Sequence, residues 1–235
     1  MCNRAIVFYW NPAGLSRLEG ATVLASQMKM FGDVGVSFFG AGSKLGSTGA
    51  IGLTIKSLDL GDIPVTTVEA MDGTGNTFKP NMTTLSLTYA NAFSDKARFG
   101  ISVKAITESI PRASASAFAL DAGVQYENLN DIEGLGIGLV LKNIGTDMHY
   151  EGSGLTTTAS DEDNLEDFYN IESSYDKLPS TFDMAMSYKV SGATLALTYT
   201  SHNFRYDDLS IGGEYELMEM VYLRGGMSIP MLEEN

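Results

Sequence analysis

Thr84-Leu85-Ser86-Leu87-Thr88-Tyr89-Ala90, followed after the turn Ser94-Asp95-Lys96 by Phe99-Gly100-Ile101-Ser102-Val103-Lys104, decides the fold class. Leu85, Leu87 and Tyr89 alternate with Ser86, Thr88 and Ala90. Phe99, Ile101 and Val103 alternate in the same way with Gly100, Ser102 and Lys104. Successive side chains of a strand point to opposite sides, so this period of two predicts strands with one apolar and one polar face.

The pattern extends outward in both directions. It recurs in Phe118–Tyr126, Leu135–Lys142, Phe182–Lys189 and Leu195–Thr200. Eleven strands are expected, at 22–29, 34–41, 48–58, 82–92, 98–109, 115–126, 134–144, 180–190, 193–201, 208–217 and 220–229. Their lengths centre near the roughly 9–11 residues a tilted strand needs to cross a bilayer, whereas strands of soluble sandwiches average about five or six. The expected connections have a parity. Asp59–Asn81 and Gly145–Pro179, after the third and seventh strands, are long; Ile110–Ser114 and His202–Asp207, after the fifth and ninth, are intermediate. The connections after even-numbered strands are short turns such as Ser191-Gly192. In an up-and-down barrel alternate connections lie on one side, and long loops on one side only is the outer-membrane pattern. The fold class predicted is therefore all-β, a transmembrane antiparallel up-and-down β-barrel.

Composition narrows the function. Charged residues make up 19% of the 235-residue chain, hydrophobic residues 44%, and there are 25 glycines. The net charge is −14 and the basic residues are scattered singly, which speaks against nucleic acid as a partner. One cysteine, Cys2, gives no intramolecular disulfide and no Cys-rich metal site. No apolar run approaches the roughly 20 residues of a spanning helix. Met1–Trp10 does not read as a signal peptide, because Arg4 precedes too few apolar residues.

Charges are not absent from the polar face. By parity Lys56, Lys104, Glu108, Asp121, Lys142, Asp183, Lys189, Glu214 and Arg224 fall on it. Facing lipid near the midplane, a Lys or Arg costs roughly 2–4 kcal/mol, so these residues are expected to face a wet lumen and one another. Either they fill and solvate that lumen or they form a selective site; the residues leave both open. Tyr89, Phe93, Phe99, Tyr126, Phe182, Tyr188 and Tyr199 fall near strand ends, where aromatic girdles form.

A family resemblance enters through the N-terminal residues Tyr9-Trp10-Asn11-Pro12-Ala13-Gly14-Leu15. This stretch resembles the motif of the PorV/PorQ family of outer-membrane proteins, itself similar to FadL-like barrels with their Asn-Pro-Ala signature. Leu58–Pro64, Asp72–Gly75, Glu108-Ser109-Ile110, Leu141–Gly145 and Leu178–Phe182 follow in an order that resembles that family over nearly the whole chain. The resemblance implies a FadL-like barrel of about fourteen strands with an N-terminal plug inside it. By that standard residues 1–20 are the remnant of the plug and 21–235 an incomplete barrel, lacking the signal peptide and about three closing strands. The location implied is the bacterial outer membrane.

Site by site, the expectations are modest. Pro12 forces an extended or turning backbone at Asn11, so Asn11-Pro12-Ala13 is either a turn that anchors the plug or, as in FadL-like transporters, an element beside a substrate path. Asp72-Gly73-Thr74-Gly75-Asn76 lacks the spaced acids of an EF-hand and reads as a glycine-rich external turn. Gly145–Lys177 carries nine acidic residues and a single Lys, which predicts an extended, mobile, solvated loop, with cation binding or docking of a basic partner as alternatives. His149 and His202 are expected in loops, and no Ser/His/Asp grouping, GxSxG or HExxH is present. No catalytic residue, cofactor or metal is predicted. The resemblance implies a role in type IX protein secretion: binding secreted proteins with C-terminal signal domains and passing them to a surface attachment complex. The alternatives are a FadL-like channel for hydrophobic small molecules and a soluble β-sandwich binding module.

Overall fold

The computed structural model of the protein describes residues 7–160, 166–218 and 221–231. Cys2, Asp161, Glu162, Asp163 and the residues after Met231 lie outside the described residues. Period-two alternation becomes strand wherever it is sustained. The long strands are β1 (Ala21–Lys29), β2 (Gly35–Lys44), β3 (Ala50–Asp59), β4 (Asn81–Ala92), β5 (Ala97–Ile110) and β6 (Ala113–Glu127). They continue as β7 (Leu135–Gly145), β8 (Thr181–Val190), β9 (Ala193–His202), β10 (Asp207–Met218) and β11 (Val221–Met231). All pair antiparallel with their neighbours in chain order, so the molecule is one large antiparallel meander. Among the described residues no pairing joins β1 to β11.

Register fixes the faces. Leu53, Leu87, Val103 and Leu120 stand side by side across β3–β6. One step along, Gly52, Thr88 and Ser102 form the neighbouring row, with Asp121 beside Ser102. The apolar row is the exposed one: Leu87 is 52% exposed and Val103 50%, against 2% for Thr88. A water-soluble sheet buries its apolar side chains and wets its polar ones. This sheet does the reverse over most of its length.

Three expectations need correction. The connection between β5 and β6 is the two-residue turn Pro111-Arg112, not an intermediate loop, and Arg112 adopts φ 66° there. Ala113 and Ser114 pair with Ile110 and Ser109, so the hairpin runs further than its apolar alternation. His202 is the last residue of β9 rather than a loop residue. The long acidic segment is folded over much of its described length. Tyr150-Glu151 pairs with Ser114-Ala115, Met148 bridges Asp176, and Thr156–Ser160 pairs with Glu166–Asn170. Met148 and Leu178 are buried against Ile106, Ala115, Ala117 and Ala119 on the polar face. Burying those apolar side chains, not the solvation of the acids, sets the path of the segment. The other long connection, Leu60–Pro80, carries the short hairpin Ile63–Pro64 with Thr77–Phe78, and Asp72–Asn76 lies in its loop.

Candidate functional site

The residues before β1 lie across the polar face of β3–β6. Asn11 caps the 3-10 turn Pro12–Arg17: its backbone is extended, and its Oδ1 accepts from the Ala13 amide at 3.0 Å. Pro12 suits the first position of the turn because its φ is preset and it has no amide to satisfy. Asn11 Nδ2 also donates to the carbonyls of Val124 and Leu139, at 3.3 and 3.4 Å, so one side chain both caps the turn and ties it to β6 and β7. Leu15 and Leu18 are buried against Ala50 and Ala90.

This close approach needs small residues beneath it. Ala50, Ala90, Gly100 and Gly123 occupy one register row across β3–β6. A Cβ on Gly100 would lie 2.3 Å from the carbonyl carbon of Pro12, and one on Gly123 would lie 2.2 Å from Asn11 Oδ1. Glycine within a strand commonly marks such an approach of another backbone. Gly100 and Gly123 were legible as polar-face positions but not as a groove. The signal was their alignment with Ala50 and Ala90, which becomes visible only once register is known.

The charges predicted on the polar face sort into short-range partnerships. Lys56 Nζ donates to Tyr9 Oη at 2.9 Å, and Tyr9 stacks edge-on against Phe38. Lys104 pairs with Asp121 at 2.5 Å and donates to Asn143 Oδ1 at 2.9 Å. Asp121 is 3% exposed, and it also accepts from the Asn143 amide at 2.8 Å. A β-bulge makes that contact: Lys142 and Asn143 together oppose Asp121, with Asn143 at φ 57°. A desolvated ion pair of this kind is tolerated because its remaining lone pairs and protons are also bonded. Lys142 pairs with Asp183 at 2.8 Å and lies over the Trp10 ring. Glu108 accepts from Tyr150 Oη, which lies in the connection after β7; that bond, then burial, pushes the Tyr150 phenol up to about 12. Glu214 and Arg224 are cross-strand partners and form an ion pair. Lys189 lies in the same row as Thr194, Glu214 and Arg224.

Two arginines not foreseen from the sequence complete the picture. Glu127 sits between Arg17, at 2.6 Å, and Arg98, at 2.7 Å, and so joins the N-terminal turn to β5 and β6. Burial pulls the Arg17 guanidinium below its ordinary value; Glu127 opposes the shift and Arg98 adds to it. Between this turn and the polar face of β7–β9 lies a cleft of about 600 Å³, bounded by Trp10, Asn11, Gln125, Lys142, Asp183 and Lys189 among others. Its walls are mixed, with ion pairs and amides set among small residues.

No known protein-family model matches the chain, and no curated protein matches it. The resemblance to PorV/PorQ therefore rests on the quoted motifs.

Proposed function

We propose that the sheet is the wall of an outer-membrane β-barrel, with its apolar face in lipid and residues 11–18 seated inside as a plug. The observation that carries this reading is the inversion of faces. Leu53, Leu87, Val103 and Leu120 are exposed, while Thr54, Ser86, Thr88 and Asp121 are buried. A continuous apolar face on this scale is far beyond the few hundred Å² of patch a soluble monomer exposes. In a bilayer it is the favourable arrangement, and the paired charges face a wet interior. A soluble sandwich module would need a second layer to cover that face, and none of the described elements covers it.

Within that setting we propose a surface-assembly role of the kind the PorV/PorQ resemblance implies, the binding and handing on of secreted proteins. Two features support it over a channel for hydrophobic molecules. The cleft beside Asn11 has the Lys142–Asp183 ion pair, Gln125 and Lys189 set among its apolar residues, so charge interrupts its lining. The two long connections, Leu60–Pro80 and Thr146–Ser180, leave the strands at the same end of the sheet, and part of the second is folded against the polar face there. The test is to express the protein with an export signal, fractionate the envelope and purify it with its partners. Heat-modifiable migration in the outer-membrane fraction, together with co-purified proteins sharing a C-terminal domain, is expected. Outer-membrane location without such partners, together with uptake of fatty acids, would favour the channel. Recovery without detergent would overturn the membrane reading.

A further inference from the structure

At the end of the sheet where the long connections emerge, one ring nitrogen has two incompatible neighbours. His202 closes β9, and its side chain, 11% exposed, falls on the polar face in the register row of Thr181 and Lys142. Its Nε2 is 3.0 Å from Asp208 Oδ2 and 2.8 Å from Arg205 Nη2. Arg205 Nη2 in turn donates to Asp208 Oδ2 at 2.7 Å, so the three groups close a triangle. An imidazole nitrogen either carries a proton or offers a lone pair. With the lone pair Nε2 accepts from Arg205; with the proton it donates to Asp208. It cannot do both.

The groups around the triangle are committed elsewhere. β7 and β8 contribute Lys142 and Asp183, which pair with each other at 2.8 Å. β10 contributes Asp207, which by alternation belongs to the opposite face; it accepts from Tyr199 Oη of β9 and from the His202 amide at 3.1 Å. From the connection after β7, where Asp176 and Lys177 precede Leu178, the Leu178 carbonyl accepts from Asn203 Nδ2 at 2.8 Å. The Asn203 amide donates to the Ser180 carbonyl at 3.3 Å. The backbone after His202 is thus tied down, and Asp208 is held within β10. Arg205, whose side chain is 65% exposed, is the member of the triangle with room to move.

We propose that His202 is a proton-operated switch for Arg205. While the imidazole is neutral, Nε2 accepts from Arg205 and the guanidinium lies folded onto Asp208 and the strand end. Protonation makes Nε2 a donor to Asp208 and sets two like charges 2.8 Å apart. The exposed partner gives way, and Arg205 swings into water. Histidine is the side chain whose charge ordinarily changes between about pH 5 and 8, so the arginine is held in neutral and alkaline solution and released in mild acid. The device controls one cation at the end of the sheet from which the acidic segment Gly145–Lys177 leaves. It rests on the geometry of this one turn and not on the secretion role.

The chain has two histidines, which makes the test direct. The full chain in dodecylmaltoside micelles, with its histidines and arginines labelled with nitrogen-15, is followed by NMR from pH 8 to pH 5. His149→Gln identifies the His202 signals and Arg205→Met the Arg205 signals. At pH 8 the His202 proton is expected on Nδ1, with Nε2 unprotonated; at pH 5 both nitrogens carry protons. Over the same interval the protection of the Arg205 guanidinium protons against exchange should fall by about tenfold, as expected for loss of hydrogen bonds to charged groups. In Arg205→Met nothing donates to Nε2, so at pH 8 the ring proton should move to Nε2 and bond Asp208. In His202→Phe the protection of Arg205 should no longer depend on pH. The proposal is overturned if Nε2 already carries the proton at pH 8 in the unaltered chain, if Arg205→Met leaves the tautomer unchanged, or if Arg205 is protected equally at pH 5 and pH 8.

Discussion

Replacing Gly100 by alanine places one methyl group where the N-terminal turn touches the sheet. The new Cβ would lie 2.3 Å from the Pro12 carbonyl carbon and 2.5 Å from the Ala13 amide nitrogen. Both are backbone atoms, so no rotamer change relieves the clash. Overpacking of this sort costs about 1–3 kcal/mol. Expelling the turn instead would expose Leu15 and Leu18, at roughly 1.5–3 kcal/mol each. The smaller cost wins: the turn stays seated, and its opening free energy falls by about 1–3 kcal/mol, so that it opens roughly 5- to 150-fold more often. Hydrogen exchange followed by mass spectrometry reads this at the Gly14 and Leu18 amides, which donate to Asn11 O and Leu15 O. Gly138→Ala is the control, because its Cβ would meet only Asn11 Nδ2, at 3.7 Å, and Val124 O, at 3.8 Å. The reasoning is refuted if the two variants exchange alike, or if Gly138→Ala opens the turn more than Gly100→Ala does.

Three further outcomes follow from the same structure. Lys104→Met leaves Asp121 buried without its cation and should cost about 3–5 kcal/mol in a urea titration of the folded protein, much of it recovered by adding Asp121→Leu. Leu87→Arg puts a charge on the apolar face and should cost about 2–4 kcal/mol in vesicles relative to Leu87→Ala, whereas a water-exposed site would register almost nothing. The neutral Tyr150 phenol is stabilised by Glu108, so its contribution is complete below pH 10 and is lost as pH rises through about 12. Alkaline titration should therefore loosen residues 146–151 in that window, seen as faster proteolysis, and Tyr150→Phe should abolish the pH dependence.

The strands were legible because their signal is local. In Leu85–Tyr89 or Phe118–Val124 each residue announces its face through polarity, and pairing with the neighbours only reinforces it. Where that signal lapsed the reading slipped. Pro111-Arg112 looked like the middle of a longer loop because Ala113 and Ser114 carry no alternation, yet β6 begins there. In Gly145–Lys177 the nine acids masked Met148, whose burial beside Leu178 depends on contacts with Ile106 and Ala117 that are distant in sequence. The individual charges were placed on a face by parity, but their partners were not. Lys104 meets Asp121 diagonally across the regular β5–β6 pairing, but Asn143 joins them through a bulge that displaces β7 by one residue. The groove under Asn11 and Pro12 was hidden for the same reason, since Ala50, Ala90, Gly100 and Gly123 lie on four different strands.

The central claim is that the exposed apolar face lies in lipid. Single tryptophans at Leu85, Leu87, Ile101 and Val103, in a Trp10→Phe background reconstituted into vesicles, test it most directly. The account predicts strong fluorescence quenching by lipids brominated along their acyl chains and little quenching by aqueous acrylamide at all four positions. Strong acrylamide quenching with no response to brominated lipid would contradict it.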